Sequence, residues 1–368
     1  MTTQLIGKRI KALREERGLS QENLAEIFGF NDRQTVSAIE TGARRVTAQE
    51  LVLAVERLDT PLEYFTDPFL LAGEGRFSWR QSGVDVQHLE AYERRAGRWI
   101  AMFRTLAPQV GRETPLMRRS LGLVRRSSFE EAMRAGERFV AEFGLGEVPA
   151  VRLAHVMERE LGILVLMVDA HRGISGAACR LPELDSVLIA RHEVAGRRHF
   201  DLAHELFHLL TWDAMPPEHL EEARETGGNR VEQLANNFAG AVLMPADTVA
   251  RFGDWAGDGQ DALIARLNAA ADALHVTASA LKWRLVALGA MTSATARAIP
   301  DAALRFNGRE DAENVPPALF SRPFTEIIGL AVGGGLVSVR RAASGLELSV
   351  DDLSDLFAVH GVAQPAEI

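Results

Sequence analysis

The pattern His-Glu-x-x-His at residues 204–208 constrains the fold of this chain more than any other segment. The surrounding residues 200–210 contain no glycine or proline and are mostly apolar, which predicts a buried helix. A helical turn takes about 3.6 residues, so His204 and His208 project from one face and can bind the same metal ion. Glu205 lies beside them and can take a proton from a metal-activated water. The pattern predicts a zinc-dependent hydrolytic centre; a core helix with two unrelated histidines is the alternative.

A four-coordinate catalytic zinc needs a third protein ligand. The residue at which a metzincin carries its third histidine is Ala214 in this chain. Glu232 lies in a second uninterrupted helical pattern, 24 residues after His208, whereas His219 and Glu222 lie in a polar segment. Because rigid elements hold ligands best, Glu232 is the predicted third ligand, with His219 and Glu222 as the alternatives.

Residues 146–291 resemble the ImmA/IrrE family of metallopeptidases. The resemblance is carried by the apolar strand at 186–190, the segment 197–208 around the two histidines, and the pattern from 232 to 245. That last pattern reads Glu-x-x-Ala-Asn-x-Phe-Ala and closes on Met-Pro. One departure is His199, which separates the usual arginine and phenylalanine.

This resemblance implies that His204, His208 and Glu232 bind Zn²⁺ or another divalent metal. It also implies that Glu205 is the catalytic base and that the substrate is a protein. A second departure falls next to the third ligand, where Leu234 replaces a residue that is often acidic in relatives.

The group that stabilises the transition state is harder to identify. Many such enzymes place a tyrosine or histidine over the developing oxyanion, but Tyr64 and Tyr92 lie far upstream of the motif. His219, His192 and Arg191 are the remaining candidates. A site without such a group would suit a degenerate, regulatory metal domain.

The first 65 residues predict a bundle of five short helices. Ser20 caps a helix that ends at Gly29, and Asp32 caps the helix that follows. Thr47 and Glu50 have the spacing of a capping box at the start of the fourth helix. These signals predict a compact, all-helical first domain.

These helices resemble the Xre/Cro-repressor family of helix-turn-helix domains through residues 6–14, 18–25, 36–42 and 62–65. In such domains the recognition helix enters the major groove of double-stranded DNA, and dimers bind paired half-sites. The implied DNA contacts are Gln21 on phosphate, Arg33, Gln34, Thr35 and Ser37 on base edges, and Arg44 and Arg45 beside the backbone. The turn at 29–32 is one residue longer than usual. The alternative is a bundle used only for dimerisation or protein contact.

The 368 residues, of which 47% are hydrophobic, predict two or three globular domains. The predicted fold class is α+β, mostly α. The predicted domains are a helix-turn-helix domain at 1–70, an arginine-rich helical linker at 71–145, a zincin-like peptidase domain with a small sheet at 146–291, and a small helical C-terminal region at 292–368.

Aliphatic runs at 161–169 and 186–190 predict strands. Residues 176–181 are predicted to form an edge strand beside the histidine helix, where an extended peptide substrate can pair with it. The stretch from 76 to 142 is predicted to be helical. Residues 274–285 look like a second helix-turn-helix unit but are predicted to pack against the peptidase core.

The formal net charge of −9 is distributed unevenly, because residues 76–138 carry 13 arginines and seven acidic residues. Such a segment can contact phosphates, although solvated helix faces explain it equally well. The single cysteine, Cys179, excludes an internal disulfide and is predicted to be buried in a strand. No run is long enough to span a membrane and no signal-peptide stretch is present, so a cytoplasmic location is expected.

These motifs favour a DNA-binding regulator fused to a zinc metallopeptidase. The resemblance implies cleavage of a repressor, an antitoxin-like partner encoded by a neighbouring gene, or the protein itself. The main alternative is a non-proteolytic transcription factor that uses the peptidase fold to sense a metal or a small ligand. In a third interpretation, the protein is one half of a toxin–antitoxin or phage-defence pair whose peptidase is restrained until it is triggered.

Overall fold

The chain is mostly helical and carries one small mixed sheet, which confirms the predicted α+β class. The computed structural model describes residues 2–112, 114–222, 229–255, 259–304 and 315–365. The described α-helices are α1 (Thr2–Glu16), α2 (Gln21–Phe28), α3 (Arg33–Glu40), α4 (Ala48–Arg57), α5 (Leu62–Thr66), α6 (Val86–Leu106), α7 (Phe129–Glu142), α8 (Leu153–Arg159), α9 (Ala195–Thr211), α10 (Arg230–Leu243), α11 (Ala246–Ala250), α12 (Gln260–Leu274), α13 (Ala278–Ala287), α14 (Ser293–Ala298), α15 (Asp301–Leu304), α16 (Arg322–Gly333), α17 (Val339–Leu346) and α18 (Val350–His360). The described strands are β1 (Arg76–Gln81), β2 (Leu164–Val168), β3 (Ile174–Arg180), β4 (Asp185–Ala190) and β5 (Leu220–Glu222).

The chain divides into two compact units, each built from separated segments. The first unit comprises Met1–Arg76, Leu89–Arg112 and Thr325–Ile368. The second unit comprises Phe77–His88 and Glu113–Phe324. The C-terminal region at 292–368 is therefore shared between the two units. None of the described helices combines the length and the apolar character that a membrane span requires.

The five helices α1 to α5 enclose their own core, as the sequence predicts. Its fully buried members include Ile10, Leu24, Val36, Ile39 and Phe65. Val36 and Ile39 point inward from α3, which leaves the opposite side of this helix at the surface.

The predicted helix ends are present in the first unit. Ser20 forms a capping box at the start of α2, and Gly29 ends this helix in the left-handed region with φ of 70°. The Asp32 carboxylate accepts a hydrogen bond of 3.0 Å from the N–H of Thr35. Thr47 forms its capping box at the start of α4. These local signals are reliable because each involves residues only three or four positions apart.

A buried carboxylate ties together the first three helices. Glu40, at the end of α3, accepts a hydrogen bond of 2.5 Å from Nε of Arg14 on α1. Its second oxygen accepts a hydrogen bond of 2.8 Å from the Gln21 side chain on α2. Glu40 is only 5% exposed, and its hydrogen bond raises the pKa of Arg14. This network fixes the orientation of α3 in the bundle.

Helix α6 packs with the C-terminal helices in the first unit. Arg95 of α6 pairs with Glu347, after α17, at 3.0 Å. Gly345 of α17 lies so close to Met102 of α6 that an added Cβ would approach its sulfur to 2.6 Å. Residues at the end of the chain therefore complete a unit that begins at the N-terminus.

The second unit is organised around a five-stranded sheet in the described residues, with the order β2-β4-β3-β1-β5. Strands β2 and β4 are parallel, with Leu166 opposite Leu188. Strands β3 and β4 are antiparallel, with Ala177 also opposite Leu188. Strands β1 and β5 are parallel, with Trp79 opposite Leu220. The buried Cys179 lies in β3, as predicted.

Two predictions for this region are wrong. The stretch from 76 to 142 is not continuously helical, because it begins with β1 and has a segment without regular secondary structure at 114–124 before α7. The strand at 176–181 is not an edge strand, because β3 lies between β4 and β1. Both errors have one cause: β1 is buried through pairing with strands distant in sequence, and such pairing overrides local preference.

Several arginines of the basic segment at 76–138 form ion pairs within their own unit, as the structural interpretation expects. Its described ion pairs include Arg80–Asp201, Arg95–Glu347, Arg104–Glu74 and Arg118–Asp185.

Helices α7, α9, α10 and α13 form the main core beside the sheet. At Gly136 of α7, an added Cβ would approach the carbonyl oxygen of Phe238 on α10 to 2.8 Å, so glycine permits this close contact. Leu281 and Leu285 of α13 belong to the same core, as predicted for residues 274–285. This packing fixes α9 and α10 against each other.

Replacing Glu40 with alanine should destabilise the first unit by roughly 3 kcal/mol, because it removes the buried carboxylate that Arg14 and Gln21 share. Chemical denaturation followed by circular dichroism measures the change. Glu56→Ala, an exposed position on α4, is the matched control and should change stability by less than about 0.5 kcal/mol. Equal effects of the two substitutions would contradict a stabilising role for the Glu40 network.

Candidate functional sites

Two histidines and one glutamate meet between α9 and α10. The Nε2 atoms of His204 and His208 are 3.0 Å apart. Glu232 places Oε2 at 3.2 Å from the first imidazole and Oε1 at 3.3 Å from the second. All three side chains are buried. The structure thus brings together the three residues that the sequence predicts as metal ligands.

These separations, which reach both carboxylate oxygens of Glu232, are close to the distance between neighbouring ligand atoms around a tetrahedral metal. Zinc bonds to nitrogen and oxygen of about 2.0–2.1 Å, at tetrahedral angles, separate neighbouring ligand atoms by roughly 3.3 Å. The three measured separations lie between 3.0 and 3.3 Å. Two imidazoles and one carboxylate are also a donor set that zinc accepts. The residues present therefore fit a tetrahedral divalent metal with one open position.

Asn236, one helical turn after Glu232, orients the first histidine. Its Oδ1 lies 3.0 Å from Nδ1 of His204. A proton on Nδ1 can be donated to this oxygen, which leaves the lone pair of Nε2 directed at the other two ligand atoms. The sequence analysis missed this residue, although the Asn-Asn pair in the α10 pattern was visible.

The electrostatics favour the protonation states that bind metal. Burial, together with the positive charge of Arg80, lowers the pKa of His204 to about 3. Burial would raise the pKa of Glu232, but the two imidazoles that face it hold this pKa well below its usual range. At neutral pH the imidazole is neutral and the carboxylate ionised, as a metal requires of its ligands.

Glu205 lies on the same helix and faces the sheet. The residue is 1% exposed. An added Cβ at Gly176 of β3 would lie 3.6 Å from Cγ of Glu205, so the carboxylate arm passes close to this strand. Its position next to His204 in α9 suits a base that acts on water at the open metal position.

None of the alternative ligands and oxyanion candidates whose side chains the structure describes belongs to this cluster. His219 is exposed before β5, and the side chain of Glu222 lies outside the described part of the structure. Arg191 and His192 both bind the Asp169 carboxylate, at 2.5 Å and 2.7 Å. The described side chains of His219, Arg191 and His192 are therefore not part of the predicted metal site.

A buried arginine from β1 lies beside the cluster instead. Arg80 is 3% exposed, and its Nε is 3.4 Å from the Asp201 carboxylate on α9. Asp201 also accepts a hydrogen bond of 3.4 Å from Arg197. Sequence analysis missed Arg80, because its contact spans more than one hundred residues and no local pattern signals it.

The predicted DNA-contacting residues lie on and around α3. Arg33 and Gln34 are exposed at its start, and Thr35 and Ser37 are partly exposed along it. Arg45 is exposed after this helix.

Two of the predicted phosphate contacts already have intramolecular partners. The Gln21 amide donates to Glu40. Arg44 forms two hydrogen bonds to Glu50, at 2.7 and 3.0 Å. A phosphate would have to compete with these carboxylates.

The predicted metal site can be tested by measuring the zinc content of the protein and its variants. We expect about one zinc per chain, lost in His204→Ala, His208→Ala and Glu232→Ala but retained in the matched control Glu205→Gln. Asn236→Ala should weaken zinc binding by about 10- to 100-fold, because the orientation of His204 is lost. Elemental analysis and a competition titration measure both effects. Unchanged zinc in Glu232→Ala would remove this residue from the ligand set.

Two family models match the chain. Residues 10–65 match the model described as helix-turn-helix, and residues 158–285 match the model described as IrrE N-terminal-like domain. The second match contains the entire cluster of His204, His208 and Glu232.

Two curated relatives agree with the first match. The HTH-type transcriptional regulator PrpR of Mycobacterium tuberculosis is 26% identical over 283 residues, covering 65% of this chain and 56% of the relative. An uncharacterized HTH-type transcriptional regulator of Rickettsia conorii, RC0668, is 38% identical over 60 residues, covering 16% of this chain and 47% of the relative. The chain thus spans about half the length of each of these relatives. No solved structure matches it significantly. The chain therefore joins an Xre-type helix-turn-helix domain to a domain of the IrrE/ImmA-like family.

Proposed function

We propose that this protein is a DNA-binding transcriptional regulator whose IrrE-like domain is a zinc-dependent endopeptidase. The observation that carries the proposal is the buried triangle of side chains formed by His204, His208 and Glu232, whose nitrogen and oxygen atoms approach one another to 3.0–3.3 Å. The substrate is a repressor, an antitoxin-like partner from a neighbouring gene, or the protein itself. The protein acts in the cytoplasm, as a homodimer on its operator.

The chain's own residues supply the acid–base steps of amide hydrolysis. When bound at the triangle, a zinc ion would polarise the attacking water and the scissile carbonyl. Glu205 accepts the water proton on a carboxylate oxygen and delivers it to the nitrogen of the leaving amine. Asn236 holds the Nδ1 proton of His204, so this imidazole keeps its orientation throughout. The buried surroundings keep bulk water away from these groups.

One observation favours the second candidate, a non-proteolytic transcription factor that senses a metal or a small ligand. An extended substrate commonly pairs with an exposed strand edge. Strand β3, which passes Glu205, has the chain's own β1 on one side and β4 on the other. A substrate cannot pair with β3 while β1 occupies this position. The same feature suits a peptidase that is restrained until β1 is displaced.

A cleavage assay separates the two candidates. Zinc-loaded protein should hydrolyse its partner among the products of adjacent genes, and a chelator should stop the reaction. Glu205→Gln should lower the rate by at least about 100-fold while it retains zinc, because only the proton transfer is removed. Mass spectrometry of the products measures the rate. Identical products from wild type and Glu205→Gln would contradict the assigned base.

A binding assay tests the DNA surface. Arg33→Ala and Gln34→Ala should relax sequence preference, each costing roughly 1–3 kcal/mol at particular base pairs. Arg45→Ala should weaken binding to all DNA sequences alike. It should also reduce the slope of log affinity against log salt concentration by about one. Arg57→Ala, exposed on α4, is the control. Titrations of operator and scrambled duplexes at several salt concentrations give these values. If the protein shows no preference for the DNA upstream of its own gene, the regulator proposal is contradicted.

A further inference from the structure

Three side chains of the first unit meet beside α3, the predicted recognition helix. Arg44 follows α3, Glu50 lies in the first turn of α4, and Phe30 lies in the turn before α3. The guanidinium group of Arg44 lies over the Phe30 ring, 5.9 Å from its centroid. Its two Nη atoms donate hydrogen bonds of 2.7 and 3.0 Å to the two carboxylate oxygens of Glu50. We call these three side chains the Arg44 clasp.

The carboxylate of Glu50 depends on Arg44. Glu50 is 8% exposed. One of its oxygens also accepts a hydrogen bond of 2.8 Å from the N–H of Thr47, as part of the capping box of α4. The hydrogen bonds from Arg44 lower the pKa of Glu50, so this carboxylate is ionised at neutral pH. A phosphate that took Arg44 would leave the carboxylate without its cation and would face its negative charge.

The turn at 29–32, which the family resemblance makes one residue longer than usual, is held through Phe30. The N–H of Phe30 donates a hydrogen bond of 2.8 Å to the Ala25 carbonyl of α2. Its ring packs edge-to-face on Phe28, with the ring centroids 5.6 Å apart. This turn is therefore tied to α2 by Phe30 itself and to α4 through Arg44 and Glu50.

Arg44 also contacts the other end of α3. Its N–H donates a hydrogen bond of 2.9 Å to the Ala38 carbonyl of this helix. The side chain of Arg44 thus reaches the turn before α3, and its backbone is bound near the end of α3. Arg33 and Gln34, the predicted base contacts, are exposed directly after the turn. A shift of the turn would therefore displace both of these side chains.

We propose that Arg44 positions the recognition helix and is not a phosphate contact. Through the clasp it fixes the longer turn, and hence the angle at which Arg33 and Gln34 meet the base edges. Arg45, exposed beside it, remains the candidate phosphate contact. The effect on DNA readout rests on the proposed regulator function, whereas the clasp itself does not.

Glu50→Gln separates the two roles of Arg44, because they predict opposite results. Glutamine can replace glutamate in a capping box, so α4 keeps its cap, but the charge that holds Arg44 is lost. If Arg44 contacted phosphate, its release would strengthen binding to every duplex. We expect instead that the preference for the duplex upstream of the gene over a scrambled duplex falls by about tenfold. Titrations of the intact chain with both duplexes measure this ratio.

Substitutions of Arg44 provide a second test. Arg44→Ala and Arg44→Lys should both reduce the preference by about tenfold and leave the slope of log affinity against log salt concentration unchanged. Lysine keeps the charge that a phosphate contact needs, but it cannot form two parallel hydrogen bonds to one carboxylate. Glu56→Gln, exposed on α4, is the matched control for Glu50→Gln and should behave like the wild type. Thermal unfolding verifies that each variant is folded.

Amide hydrogen exchange tests the clasp without DNA. Exchange at residues 30–36 should be at least about fivefold faster in folded Arg44→Ala than in the wild type, because the turn and the start of α3 lose one of their attachments. Exchange in α1 should stay unchanged and serves as the internal control.

Three results would overturn the proposal. The first is tighter binding of both duplexes by Glu50→Gln with the preference intact. The second is a smaller salt slope in Arg44→Ala, and the third is unchanged exchange at residues 30–36 in that variant. If the wild type shows no preference between the duplexes, the regulator proposal fails, and the exchange measurement still decides whether the clasp holds the turn.

Discussion

The second unit depends on one electrostatic constraint in a buried space: the Nε2 atoms of His204 and His208 lie 3.0 Å apart, and each lies 3.2–3.3 Å from one carboxylate oxygen of Glu232. Burial and the positive charge of Arg80 lower the pKa of His204, so this imidazole is neutral at neutral pH and can offer a lone pair. A cation held by the three side chains satisfies these donor atoms, and their spacing fits one. The surrounding packing stabilises this arrangement. Helix α10, which carries Glu232, packs closely against Gly136 of α7.

The position of β1 links the sheet to this cluster. The strand separates β3 from β5 and buries Arg80 beside His204. The six-residue strand β1 therefore covers the edge of β3, with which a peptide substrate could otherwise pair. It also places the guanidinium group of Arg80 near the predicted metal ligands. A peptidase with this arrangement is restrained by its own chain, whereas a sensor can use the same arrangement permanently. The position of β1 thus bears on both proposed functions.

Sequence reasoning succeeded where the determinants are local. Helical periodicity places His204 and His208 on one face, and capping residues such as Ser20, Asp32 and Thr47 mark helix ends within a few positions. It failed where distant segments meet. Residues of β1 form a strand because they pair with β5, about 140 residues later. Arg80 is held in its buried position by an ion pair with Asp201 on α9. The meeting of Glu232 with the two histidines was predictable, because a helical pattern and a family resemblance both pointed to this residue.

Zinc-edge X-ray absorption on the zinc-loaded protein tests the central claim most directly. We expect two imidazole nitrogens and carboxylate or water oxygens at about 2.0–2.2 Å from the metal, in four-coordinate geometry. His204→Ala should lose the zinc and with it this signal, whereas Glu205→Gln should keep the signal of two imidazoles. A wild-type spectrum without two imidazoles, or a zinc-loaded His204→Ala with an unchanged spectrum, would place the metal elsewhere and contradict this set of ligands.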